Sequence, residues 1–154
     1  MDKLRIISGM QTGADIAGVK FAKEFGYEYG GLMPKKYLTE MGYRPGYNRL
    51  YNATESSSAS YTVRTEENVK SSDLTIIFDF ADSIGSKQTK RYCRKWNKSY
   101  VYFTTESDIS IIKELKSVFK GFPFKTINIA GNRESKSPGI EKRVYNILKQ
   151  VFDV

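Results

Sequence analysis

Apolar positions along the chain follow two periods, one short and one helical. "LRIIS" (residues 4–8) is a β-branched run ending at Gly9, and "LTIIFDF" (residues 74–80) is the clearest strand pattern. "YEYGGLMP" (27–34), "SYVYFT" (99–104) and "KTINIAG" (125–131) predict three more strands. Between them the spacing turns helical. After Gly13, Ala14, Ala17, Phe21 and Phe25 lie near one stripe, and Gly26 is placed to end that helix. "SYTVRTEENVKSSD" (60–73) predicts a helix of about ten residues, and "KQTKRYCRKWNK" (87–98) a strongly basic one. Ile111, Ile112, Leu115, Val118 and Phe119 mark a fourth helix. Ile140, Val144, Ile147, Leu148, Val151 and Phe152 mark a fifth, with Pro138 suited to its first turn. Residues 34–60 show no clean period; their Pro, Gly, Asn and Ser content predicts a long functional or mobile loop.

Strands thus alternate with helices, about five of each. The pattern predicts an α/β fold: a Rossmann-like three-layer sandwich with a mainly parallel sheet and helices on both faces. With 154 residues and no linker beyond the short "SSSAS", one domain over residues 1–154 is expected.

In such sheets ligands bind beyond the carboxyl ends of the strands. Three of those ends carry "SGMQTGAD", "DFADSIGSKQT" and "AGNRESKSPG", each leading into a helix. Glycine lets the backbone approach a ligand, and free N–H groups at a helix start attract anions. "GMQTG" is neither a GxGxxG nor a P-loop sequence. Each turn alone would serve as a plain connection; Ser86 alone would serve as a helix cap. The coincidence of three at one sheet edge favours a convergent site.

Composition narrows the chemistry. A net charge of +8 suits an anionic ligand. There is no histidine, which excludes His-based triads, metal sites and general bases. The single cysteine, Cys93, cannot form an internal disulfide and fits a reducing, cytoplasmic setting. Placed mid-helix, it reads as a buried core thiol. No apolar run reaches the length of a membrane span, and "MDKLRIISG" lacks a signal-peptide layout.

Taken together, "SGMQTGAD", "GGLMPK", "YTVRTEENVKSSDLTIIF", "GSKQT" and "INIAGNRESKSPGI" resemble the family named "putative molybdenum carrier". That family belongs to the Rossmann-like group holding the lonely-guy proteins and the nucleotide-sensing SLOG domains. The resemblance implies ligand-facing positions at Gly9, Gln11, Thr12, Gly13 and Asp15 of the first turn. Met10 stands where the family usually has a second glycine, and there it would narrow the pocket or replace a polar contact. Ile16 stands where an Arg is common. Gly30, Gly31, Pro34 and Lys35 match the second turn, and Arg64, Thr65 and Asn68 the helix that follows. Gly85, Ser86 and Thr89 match the third turn, and Asn128, Gly131, Arg133, Glu134 and Ser135 the last.

These residue types suit a phosphorylated nucleotide-like ligand, or the phosphate-bearing tail of a pterin-type molybdenum cofactor. Arg64 and Arg133 would clamp phosphate oxygens. Ser86 and Thr89 would donate hydroxyls, and Asp15 or Glu134 would accept from a ribose or hold an Arg. Carrying, sensing or sequestration without turnover is the expectation, with no catalytic residue and no protein metal ligands assigned. The alternative is hydrolysis of a nucleoside-monophosphate N-glycosidic bond, as in the lonely-guy branch. That branch places a Glu at the third turn, where this chain has Lys87, Lys90 and Arg91. A third reading takes Lys87, Lys90, Arg91, Arg94, Lys95 and Lys98, with Tyr92 and Trp96, as a nucleic-acid surface; a solvated cationic face is favoured over it. Self-association through "SYTVRTEENV" is also expected, with Arg64 reaching a neighbouring subunit's site.

Overall fold

The computed structural model describes residues 3–154. Its main sheet has six strands: β1 (Arg5–Ile7), β2 (Glu28–Met33), β5 (Ala53–Glu55), β6 (Leu74–Phe78), β7 (Ser99–Phe103) and β8 (Thr126–Gly131). They run in the order β5-β2-β1-β8-β6-β7, and every pairing is parallel. A two-stranded antiparallel hairpin, β3 (Leu38–Thr39) and β4 (Gly42–Tyr43), stands apart from it. The helices are α1 (Ala14–Glu24), α2 (Tyr47–Leu50), α3 (Tyr61–Lys70), α4 (Ile84–Lys95), α5 (Asp108–Gly121) and α6 (Ile140–Val151).

Register decides which strand residues share a face. Ile6 pairs with Ile127, Leu74 with Ile127, and Ile76 with Ile129. These side chains join Ala17 and Phe21 of α1, Ile111 and Leu115 of α5, and Val144 and Leu148 of α6 in the main core. The opposite face is more polar: Thr75 and Asn128 are buried there, beside Ile7 and Ile77. It is covered by α3 and α4, which supply Asn68, Val69, Thr89 and Cys93. Buried polar groups need partners, and here they find them: Asn128 Nδ2 donates to Thr75 Oγ1 at 3.4 Å, and Asn68 bonds both Leu32 N and Leu32 O. The polar face is therefore the one built for a site. Cys93 is fully buried and its thiol is pushed up by burial, as befits a core side chain.

Three expectations are corrected. The sheet has six strands, because residues 34–60 are not a structureless loop. That segment holds a 3-10 turn (Lys35–Tyr37), the hairpin, α2 and the edge strand β5. Only Ala53 of β5 is buried, so it carries no apolar period. The basic helix begins at Ile84, and its cap is Ser83, whose side chain accepts from Ser86 N–H. Ser86 is thus a first-turn residue. Pro138 precedes the N-cap Gly139 of α6 and lies outside the helix.

Candidate functional site

A cavity of about 380 Å³ opens at the carboxyl ends of β1, β6 and β8. That volume falls within the range of small-molecule sites, about 300–1,000 Å³. Its wall is formed by Gly9, Gln11 and Asp15, by Tyr61, Arg64, Thr65 and Asn68 of α3, by residues 81–85 with Gln88 and Thr89, and by Asn128 to Gly131 with Arg133 and Lys136.

Arg64 and Asp15 form its floor. Both are buried, and Arg64 Nη1 lies 3.3 Å from Asp15 Oδ2. The Arg64 side chain packs directly on Gly9; a Cβ there would sit 1.8 Å from Arg64 Nη1, so a larger residue would not leave room for the arginine where it lies. Asp15 receives one further contact, from Gln11 N–H at 3.4 Å. Both distances are long for charge-assisted bonds. Burial therefore outweighs Arg64, Gln11 and Arg133, and lifts the Asp15 carboxyl from 3.8 to about 6. Burial likewise lowers Arg64, against the attraction of Asp15.

Two buried polar atoms in this wall lack a hydrogen-bond partner among the described residues: Arg64 Nε and Gln11 Oε1. Gln11 cannot relieve this by flipping, because its Nε2 donates to Leu38 O at 3.0 Å. An orphaned buried donor and an orphaned buried acceptor forfeit about 1–3 kcal/mol each, which a polar ligand would restore.

Above the floor, Arg133 stacks on Tyr61 at 4.6 Å from the ring centroid, and Arg64 Cζ lies 5.8 Å from the same ring. Arg133 forms no ion pair among the described residues. The first turn of α4 closes the other side, with its positive dipole end toward the cavity. Asp79 fastens this turn to the β8–α6 loop. It is buried, accepting from Ser83 N–H and Asn132 Nδ2 at 2.8 Å each and from Tyr102 Oη. Asn132 Oδ1 in turn accepts from Ala81 N–H at 3.0 Å.

Of the expected site residues, Gly9, Gln11, Asp15, Arg64, Thr65, Asn68, Gly85, Thr89, Gly131 and Arg133 line the cavity. The others do different work. Met10 is fully buried in a second apolar cluster with Ile16, Val19 and Met33, so it neither narrows the cavity nor enters it. Gly13 (φ 88) lies under the backbone of Asn132 and Glu134, where a Cβ would collide. Lys35 is exposed on the 3-10 turn. Ser86 shares a bond with Ser83. Glu134 accepts from the N–H groups of Gly139 and Glu141, which makes it an anchor of the α6 start. Thr12 and Ser135 both donate to Glu40 at the tip of the hairpin. Arg64 lines the cavity of its own chain.

Tyr61, Asp82, Ser83, Ile84, Gln88 and Lys136 also line the cavity and were not expected. Tyr61 had a visible cue, an aromatic three residues ahead of Arg64 and hence on its helix face. Ile84 had none, being 84% exposed.

A parallel α/β sheet whose carboxyl edge holds a cavity walled by two arginines and a helix start defines a Rossmann-like ligand-binding domain. The chain belongs to the circularly permutated YpsA SLOG family, whose family model matches residues 6–152. It is also similar to a solved structure, the "Putative molybdenum carrier protein" of Syntrophus aciditrophicus SB. The two share 32% identity over 97% of this chain and 94% of that one, with a TM-score of 0.88. No curated protein matches the chain. Both comparisons agree with the resemblance read from the sequence and support a ligand-binding role in general. Among the described residues no helix is long and apolar enough to cross a membrane.

Proposed function

We propose that this protein binds a phosphorylated, nucleotide-like small molecule in the cavity and carries, senses or sequesters it unchanged, in the cytoplasm. The observation that carries the reading is the convergence on one cavity of Arg64, Arg133 and the start of α4, with Arg64 Nε and Gln11 Oε1 left unpartnered. Phosphate oxygens would accept from the two arginines and the free N–H groups of α4. A ribose hydroxyl or base amine would donate to Gln11 Oε1, and Tyr61 offers a ring face for stacking.

The phosphate tail of a pterin-type molybdenum cofactor fits the same cations, and the name of the Syntrophus protein makes it a candidate cargo. Among the described residues no three or more His, Cys, Asp and Glu side chains gather to hold a metal. Molybdenum would therefore arrive within its organic group.

A second reading, N-glycosidic hydrolysis, has one observation in its favour. Asp15, lifted to about 6, is a carboxyl in the cavity wall tuned toward acid–base work. Glu134, the other candidate, is committed to α6. Native mass spectrometry of the purified protein, followed by incubation with a panel of nucleoside monophosphates, tests both readings. Recovery of an intact bound nucleotide is expected. Release of free base that stops in Asp15→Asn would establish the enzyme instead. Self-association is proposed through the outer face of α3, where Val63 is 41% exposed. A monomeric mass in light scattering at high concentration would refute it.

A further inference from the structure

The polar donors just beyond the cavity already hold an anion, and it belongs to the chain itself. Glu40, half-buried at the tip of the β3–β4 hairpin, accepts from Thr12 Oγ1, from Ser135 Oγ and from Ser135 N–H at 3.4 Å. Thr12 Oγ1 accepts from Glu134 N–H at 3.2 Å, which directs its own proton toward Glu40. Partial burial raises the Glu40 carboxyl, but the bonds from Ser135 and Thr12 and the charge of Arg133 outweigh it and hold the group below its ordinary range. Arg133 lines the cavity, and its charge also acts on Glu40.

The hairpin is weakly tied to the body. A neck bond from Arg44 N–H to Tyr37 O at 2.9 Å closes it on itself. On its upstream side Lys36 and Tyr37 both have left-handed φ, of 61° and 56°. Met41 and Tyr43 are exposed at 66% and 58%. Apart from buried Thr39, its polar links to the site are Glu40 and the bond from Gln11 Nε2 to Leu38 O. Displacing Glu40 would therefore free most of it. The second link matters as well, because it sets the orientation of Gln11 that leaves its buried Oε1 without a partner.

We infer that Thr12, Ser135 and Arg133 form a second anion subsite, which the carboxylate of Glu40 fills until a ligand with two linked acidic groups displaces it and releases the hairpin. The inference rests on the proposed binding function and names its ligand class: a diphosphate, or a phosphate carrying a second acid. One anion would sit between Arg64 and α4, and the other would take the place of Glu40, with Arg133 between them. Removing the charge of Glu40 while keeping its shape should favour a two-anion ligand over a single anion.

The test is calorimetric titration of wild type and Glu40→Gln with inorganic pyrophosphate and with orthophosphate, alongside hydrogen exchange of residues 37–44. Pyrophosphate should bind Glu40→Gln about tenfold more tightly than wild type, and orthophosphate should gain less than about threefold. In wild type, pyrophosphate should speed exchange in 37–44. Matching melting curves for the two proteins would show that the gain is not a folding effect. Pyrophosphate binding that is equal in both proteins, with exchange in 37–44 unchanged, overturns the latch and leaves the cavity reading standing. No pyrophosphate binding to either protein overturns both.

Discussion

Substituting Asp15 by Asn tests whether burial or the ion pair governs the cavity floor. In wild type the Asp15 carboxyl titrates at 3.8 when unfolded and at about 6 when folded. The folded state therefore holds the proton more tightly. Stability from this group is fully present below pH 3.8 and is lost as pH rises through about 6. Each pH unit between the two values is worth about 1.4 kcal/mol, so the gap amounts to about 3 kcal/mol. Asn has the shape of the protonated acid and cannot ionise. The two proteins should be nearly equally stable near pH 4, and Asp15→Asn should be the more stable at pH 7.5, by up to about 3 kcal/mol.

The opposite expectation is equally physical. Removing one partner of a buried ion pair ordinarily costs about 3–5 kcal/mol, because the other charge is stranded. Geometry decides between them here. Asp15 is held by one arginine contact at 3.3 Å and one N–H at 3.4 Å, too loose to compensate its desolvation. Urea unfolding of both proteins from pH 4 to 7.5 gives the difference directly, and titrations elsewhere cancel. Parallel stability curves, or an Asp15→Asn protein that is less stable at pH 7.5, would refute the reasoning.

The same proton should control anion binding. Sulfate, which does not titrate in this range, should bind more tightly at pH 5 than at pH 7, as neutral Asp15 frees Arg64; Asp15→Asn should bind it equally at both. Gly9→Ala puts a methyl 1.8 Å from Arg64 Nη1 and 2.5 Å from Cζ, so it should expel the arginine and weaken anion affinity by about one to two orders of magnitude in calorimetry. Arg133→Ala should weaken affinity by a similar factor and leave the melting temperature nearly unchanged. Glu134→Gln should do the reverse, because its two oxygens serve α6: a loss of about 1–2 kcal/mol in urea unfolding with affinity within about threefold.

The sequence announces elements wherever burial imposes a period. The chain's α6 buries Ile140, Val144, Ile147, Leu148 and Val151, and β6 is buried at all five positions, so both are legible. The strand β5 exposes two of three residues, and the hairpin strands are two residues each; neither length nor pattern marks them. Helix α4 starts earlier than its pattern suggests because Ile84, its first residue, points into solvent. The site divides in the same way. Gly9 was recognisable as a glycine that something must approach, but that Arg64 would do so depends on a contact 55 positions along the chain. Thr12 and Ser135 were legible as positions in the ligand-facing turns and not as partners of Glu40, which lies 28 and 95 positions from them.

The distribution of charge gives the basic helix a role beside the cavity. Several of its cations are already engaged. Lys87 lies 2.9 Å from Asp82, Lys95 lies 2.8 Å from Glu66, and Lys90 covers the ring of Tyr102 at 4.2 Å. Trp96 donates to Glu66 and lies beneath Lys70. An aromatic ring so covered presents little face for a base to stack on, which single-strand binding requires. Exposed ion pairs contribute little to stability, yet their fields add over distance. With the positive end of α4 at the cavity and a net charge of +8, the helix would raise the local concentration of small anions at the cavity mouth. Two separate devices follow from one charge excess. On the proposed binding function, the exposed lysines would draw an anion in and be screened by salt, whereas buried Arg64 would hold it where screening is weak.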